Sequence, residues 1–329
     1  MKSRTVRWLK HIVGVQVQSK MWHRLHRLSV RLGVGALFYL FSMRILVLIC
    51  GLDWLQRYVF SRQVAILQHF VVPSNLSVGE WGMMKRQFLV YEYLRNCRYE
   101  DALNRLTVDE LRQFITVEGW AILEKALEAG SGVLLVAGHY GLTRILIVYL
   151  EKLGFEILVI PNRKVRAKGY SRKRTGTISV VSSAQDIYIA HDALQEGKIV
   201  LILPDGQRGQ IYSSSPFLDR TREFKTGFAE LALMSNAVII PGEVRLGARV
   251  ADMHKLYIEL SPSFNVHREF SQKSVPMLIE QYARHLEKIW RTRPSSVHSN
   301  QMRWYLYEQQ RYASHMDGES LLINTEVLS

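Results

Sequence analysis

The chain has 329 residues, 48% of them hydrophobic, enough to fill the core of one large α/β domain or two ordinary ones. Its net charge of +14 points to an anionic partner: a membrane surface, an acidic protein or nucleic acid. The two cysteines, Cys50 and Cys97, exclude a disulfide framework and a cysteine-based metal centre, and they fit a reducing compartment.

No acid precedes Asp53, whereas nine cations do: Lys2, Arg4, Arg7, Lys10, Lys20, Arg24, Arg27, Arg31 and Arg44. Trp8, Trp22 and several aliphatic residues lie among them, the composition of a segment resting on anionic lipid. Residues 32–52 follow, 21 residues whose one charge is Arg44. That length suffices to cross a bilayer core. Twelve Leu, Ile, Val and Phe side chains return roughly 0.3–0.6 kcal/mol each, against roughly 2.5–3.5 for Arg44, so insertion is close to balanced. Spanning, re-entrant and surface-lying arrangements all satisfy that balance.

From 76 to 130 the pattern is helical. Glu80 to Tyr93 carries apolar and aromatic residues at three-to-four spacing, and Thr107 followed by Glu110 predicts a capping box before Leu111. Val117 to Ala121 leads into another helix, which ends at Gly130-Ser131-Gly132. Short apolar runs then alternate with helical patterns. Strands are predicted at 133–137, 155–160, 178–181, 199–203, 238–240, 243–246 and 256–260, and helices at 143–153, 184–196, 226–235 and 275–292. The fold class is therefore α/β, a mainly parallel sheet flanked by helices with room for antiparallel strands at its end. A basic amphipathic or transmembrane helical segment precedes it. The division expected is a membrane-associating segment over 1–60 with a candidate transmembrane helix at 32–52, helices over 61–130, the α/β core over 131–295 and a tail over 296–329.

Four polar stretches follow predicted strands, so a parallel sheet gathers several of them at one edge, where ligands of open α/β sheets bind. His139 stands in Gly138-His139-Tyr140-Gly141 after the first strand of the core. Asn162 and Arg163 open a run through Arg174 that holds seven cations and no acid. Pro204-Asp205-Gly206-Gln207-Arg208 follows the 199–203 strand, and Lys225, Thr226 and Gly227 open the helix before the run that ends at Pro241. A helix start of that kind leaves N–H groups that can hold an anion.

In this order and spacing the blocks resemble the lysophospholipid acyltransferase superfamily, and within it the bacterial lipid A late (lauroyl/myristoyl) acyltransferase branch. The resemblance implies a glycerolipid acyltransferase-like core and a membrane-bound enzyme at the cytoplasmic face of the inner membrane. Its reaction would move a fatty acyl group from an acyl-ACP or acyl-CoA thioester to a hydroxyl or amine of a lipid-like acceptor, such as a lipid A precursor or a lysophospholipid. No cofactor is implied beyond that thioester, which is a substrate. His139 is implied as general base, and Asn162, Arg163, Gly206, Gln207 and Arg208 as binders of an anionic group, with Arg144, Lys225, Thr226 and Gly227 beside them.

One departure matters. The family carries a carboxylate five residues after its histidine, where this chain has Arg144. That acid orients the imidazole and stabilises the imidazolium, whereas an arginine opposes protonation. Asp205 is the leading candidate to replace it, ahead of Glu223 and Glu243. The alternative reading, resting on Arg144, is a catalytically impaired relative that binds lipid or acyl carrier protein. The 163–174 run fits docking to acyl carrier protein or to phospholipid headgroups. Aromatics are nearly absent from it, which argues against nucleic acid. No Cys/His cluster predicts a metal, and no Gly-rich loop predicts a nucleotide.

Overall fold

The computed structural model describes residues 25, 28–29, 31–32, 34–53, 56, 60–71, 75–96, 99–160, 178–180, 186–206, 211–264 and 274–317. They form two compact units, one from the described parts of 1–106, 246–255 and 292–329, the other from those of 107–245 and 256–291.

The first unit is helical: α1 (Gly35–Cys50), α2 (Ser61–Gln68), α3 (Val78–Asn96) and α4 (Glu100–Leu103). Helix α1 packs on α3 and buries Ala36, Tyr39, Met43, Leu46, Val47 and Cys50, a stripe at three-to-four spacing. Among the described residues no helix is long and apolar enough to cross a membrane. The candidate transmembrane helix at 32–52 is thus not supported. The helix has 16 residues, which rise about 24 Å at 1.5 Å each, short of the roughly 30 Å hydrocarbon core. One of its faces is also committed to protein. Its other face remains apolar and exposed at Leu37 (66%), Phe41 (64%) and Leu48 (66%).

Glu92 of α3 is buried and accepts from the Ser299 hydroxyl at 2.6 Å and from the Ser299 N–H at 3.1 Å, while Arg95 pairs with it at 2.8 Å. Burial opposes the Glu92 charge, but Arg95, His298 and Ser299 outweigh it and hold the carboxyl below its ordinary range. Tyr91 accepts from the Leu246 N–H at 2.7 Å.

The second unit holds α5 (Val108–Arg112), β1 (Ile115–Glu118), α6 (Trp120–Glu128), β2 (Val133–Val136), α7 (Thr143–Lys152), β3 (Ile157–Val159), β4 (Ile178–Val180), α8 (Asp186–Gln195), β5 (Ile199–Ile202), β6 (Tyr212–Phe217), β7 (Arg220–Lys225), α9 (Gly227–Ser235), β8 (Val238–Leu246), β9 (Leu256–Leu260) and α10 (Ser274–Thr292). The Thr107–Glu110 capping box opens α5 as expected. Seven strands make one sheet in the order β1-β9-β8-β2-β5-β3-β4. Strand β2 is central and wholly buried, parallel to β5 on one side and β8 on the other, as its unbroken apolar run requires. Strands β8 and β9 run in opposite senses, with Gly247 N–H donating to Lys255 O and Ser261 N–H to Pro241 O. The strands expected separately at 238–240 and 243–246 are one. Pro241 keeps its place opposite Val136 although it cannot donate to the ladder.

Two elements were not expected. Strand β1 pairs parallel with β9 and alternates buried with open positions over only four residues, too short for its period to stand out. Strands β6 and β7 form a separate antiparallel hairpin, turning at Leu218-Asp219, both with positive φ (50° and 62°). Such turns are usually announced by Asn-Gly or Asp-Gly, and Leu-Asp carries no such signal. Beyond α10, the tail expected over 296–329 instead holds a helix, α11 (Ser299–Asp317), which belongs to the first unit and buries Met302 and Tyr305.

Candidate active site

Strands β2 and β5 pair in parallel with Val136 opposite Ile202, so the turns that follow them emerge side by side. One turn carries His139 and the other Asp205. The Asp205 carboxylate grips the histidine twice. Its Oδ2 accepts from the His139 backbone N–H at 2.7 Å, and its Oδ1 lies 2.8 Å from His139 Nδ1. A carboxylate against Nδ1 selects the tautomer that donates from Nδ1 and leaves Nε2 as an acceptor. The His139 side chain is 29% exposed and that of Asp205 2%, so the base faces outward and the acid inward. Burial opposes the Asp205 charge, but His139, its two hydrogen bonds and the Arg222 guanidinium outweigh that and hold the carboxyl below its ordinary range.

The histidine turn is braced from three directions. Thr143 Oγ1 donates to the Gly138 carbonyl at 3.1 Å. Leu142 N–H donates to Val244 O at 2.8 Å, tying the turn to β8. Gly141 adopts φ +55°, and a Cβ there would run into the Val244 carbonyl.

From α10, the Tyr282 hydroxyl donates to the Ala137 carbonyl at 3.3 Å and meets the Asp205 backbone N–H. One buried hydroxyl thus holds both strand-end turns. Tyr282→Phe keeps the ring in the core and removes that link, and is expected to lower stability by about 1–2 kcal/mol in urea unfolding. Sequence reasoning missed Tyr282 and Arg222. Tyr282 belongs to the apolar stripe of α10 with Leu278, Ile279, Leu286 and Ile289, where it reads as core. Arg222 alternates inward with Phe224, a signal that becomes visible once β7 is known to be a strand.

The other anticipated residues are dispersed. Arg144 is exposed in the first turn of α7, and the carboxylate against the His139 ring is that of Asp205. Glu223 stands on β7 and Glu243 is buried in β8. Gly206 follows Asp205, with its N–H on the Leu203 carbonyl at 3.4 Å. Lys225, expected to open a helix, ends β7, with its ammonium 5.2 Å from the Tyr212 ring. The hairpin register places Lys225 opposite Tyr212. Thr226 precedes α9, which begins at Gly227, and directs its hydroxyl to the Ile211 carbonyl at 3.4 Å rather than to the helix N–H groups. Asn162, Arg163, Gln207 and Arg208, with the rest of the 163–174 run, lie outside the described residues. No cluster of His, Cys, Asp or Glu suited to a metal ion occurs among the described residues.

An α/β unit whose parallel strand ends bring a histidine against a buried aspartate is suited to proton transfer beside a nucleophile. The sequence matches the model of the family described as bacterial lipid A biosynthesis acyltransferase over residues 99–305. The chain belongs to that family, whose activity is acyl transfer in lipid biosynthesis. Among solved structures it is similar to the 1-acyl-sn-glycerophosphate (LPA) acyltransferase PlsC from Thermotoga maritima. That likeness has 14% identity and a TM-score of 0.35, and covers 70% of this chain and 98% of that one. No curated protein matches the sequence.

Proposed function

We propose that this protein transfers a fatty acyl group from an acyl carrier protein or coenzyme A thioester to a hydroxyl or amine on a lipid-like acceptor, with His139 as base and Asp205 as its orienting acid. The observation that carries the reading is the double contact of Asp205 with His139. In the reaction, the acceptor gives its proton to His139 Nε2 as its oxygen or nitrogen attacks the thioester carbonyl. The tetrahedral intermediate then expels the thiol sulfur, which takes the proton from the imidazolium. Asp205 stabilises the imidazolium while it lasts. Arg163 and Arg208, with Asn162, Gly206 and Gln207, are assigned to an anionic group of the lipid acceptor by their family positions, and the 163–174 run to acyl carrier protein or headgroups. A late, lauroyl- or myristoyl-transferring role is the finer reading within the family.

Membrane attachment is part of the same proposal. The exposed apolar face of α1 at Leu37, Phe41 and Leu48, next to an amino-terminal segment of eight cations and no acid, supports a surface-lying contact with anionic lipid at the cytoplasmic face of the inner membrane.

The test is lipid profiling by mass spectrometry of cells carrying wild-type protein, His139→Ala or no protein. An acylated species confined to wild type is expected, and it identifies the acceptor. Identical profiles, together with no thiol released from acyl thioesters by purified protein, would overturn the reading in favour of a relative that only binds lipid or carrier.

A further inference from the structure

Arg222 lies in the middle of β7 and is only 3% exposed. Its guanidinium carbon sits 5.2 Å from the ring centres of Phe217 and Phe224 and 5.9 Å from that of Trp290. The rings brace one another edge-on, Phe217 on Phe224 at 5.8 Å and on Trp290 at 5.4 Å. Ring faces attract a cation, but less than it costs to take a full charge out of water. A buried guanidinium therefore requires a buried anion in reach. The acyl-transfer reading gives this cation no task.

Among the described residues, the carboxylates buried in this unit are those of Asp205 and Glu243; Arg222 favours the charge of Asp205, and Tyr282 links the two. Its ring packs edge-on against Phe224 of the cage at 5.9 Å, while its hydroxyl meets Ala137 and the Asp205 backbone. We propose that Arg222 is a positioning residue of this site: a permanent cation, caged by Phe217, Phe224 and Trp290, that balances Asp205 and through it fixes the imidazole of His139.

The titratable groups around Asp205 include His139 and Tyr140 from the turn after β2, Arg222 from β7 and Tyr282 from α10, and the buried Glu243 stands on β8, the strand beside β2. Behind them is His285, with Nε2 3.4 Å from the Tyr140 hydroxyl. His139 balances Asp205 only while protonated, and a base must begin neutral. Arg222 stays charged throughout. It keeps the carboxylate ionised in the resting state, when the Nδ1–H tautomer has to be held. Both Arg222 and His139 pull the Asp205 carboxyl downward against its burial, in keeping with this pairing. Naming His139 as base rests on the acyl-transfer reading; the charge pairing does not.

The experiment therefore uses no acyl substrate. In the full chain, the Asp205 carboxyl carbon, assigned by its absence in Asp205→Asn, is followed by 13C NMR against pH. In wild type it is expected to titrate below the ordinary aspartate range. Arg222→Met fills the cage without charge and is expected to raise the midpoint by about one pH unit or more. Arg222→Lys should return it toward wild type. A folded Arg222→Met protein with an unmoved midpoint overturns the proposal. If Arg222→Met does not fold, the double variant with Asp205→Asn decides. Removing both charges is expected to recover folded protein, because neither is left alone in the core. A double variant that stays unfolded overturns the pairing. A raised midpoint in a protein that transfers no acyl group sinks the functional reading and leaves Arg222 in its place.

Discussion

Asp205→Asn is expected to reduce thiol release from an acyl thioester by about 10⁴-fold in turnover, with little change in the Michaelis constant, because an amide can present the wrong donor to Nδ1 and cannot stabilise imidazolium. The two contacts at 2.7 and 2.8 Å mean that the ring is gripped by both its backbone and its side chain. The variant keeps the shape of the grip and loses its charge. Turnover above a tenth of wild type would remove Asp205 from the mechanism. The same substitution carries a signature in acid. The folded Asp205 carboxyl is depressed relative to the unfolded chain. Its contribution to stability is complete above the ordinary aspartate range of about 3.9 and is lost as pH falls through the lower folded value. Asp205→Asn should lose that part of the acid limb, as measured by urea unfolding at a series of pH values.

The second large effect concerns the backbone that carries the base. Gly141→Ala is expected to lower the unfolding free energy by about 3 kcal/mol or more, because it adds a side chain to a left-handed residue and drives it into the Val244 carbonyl. Gly130 is the control. It has a similar φ of +70°, but nothing lies within 4 Å of a Cβ there. Gly130→Ala should cost only the conformational part, about 1–2 kcal/mol. Equal costs in urea unfolding would mean that the histidine turn yields, and that its bond from Leu142 N–H to Val244 O is not what positions His139.

The sequence by itself determined the buried parallel strands at the centre of the second unit's sheet and the place of its histidine. Buried parallel strands such as 133–137 and 199–203 are unbroken apolar runs, and turns rich in Gly mark where they stop, so His139 and Asp205 were both legible as strand-end residues. It also showed that the acid expected five places after His139 is Arg144, but not which carboxylate stands in its place. That depends on two strands 66 positions apart along the chain lying side by side, as the separation of His139 and Asp205 records. Short or atypically signalled elements were not legible either: β1 is four residues long, and the β6–β7 hairpin turns on Leu-Asp.

Only the tertiary structure decided the rest. The apolar stretch 32–52 has the composition of a membrane span, yet one face of α1 is buried on protein, since hydrophobicity alone does not say what will cover it. Arg222 and Tyr282 read along the chain as a hairpin cation and a core aromatic. Their meaning comes from burial and packing: a charge deep in a unit must find its opposite, which for Arg222 is the proposed pairing with Asp205.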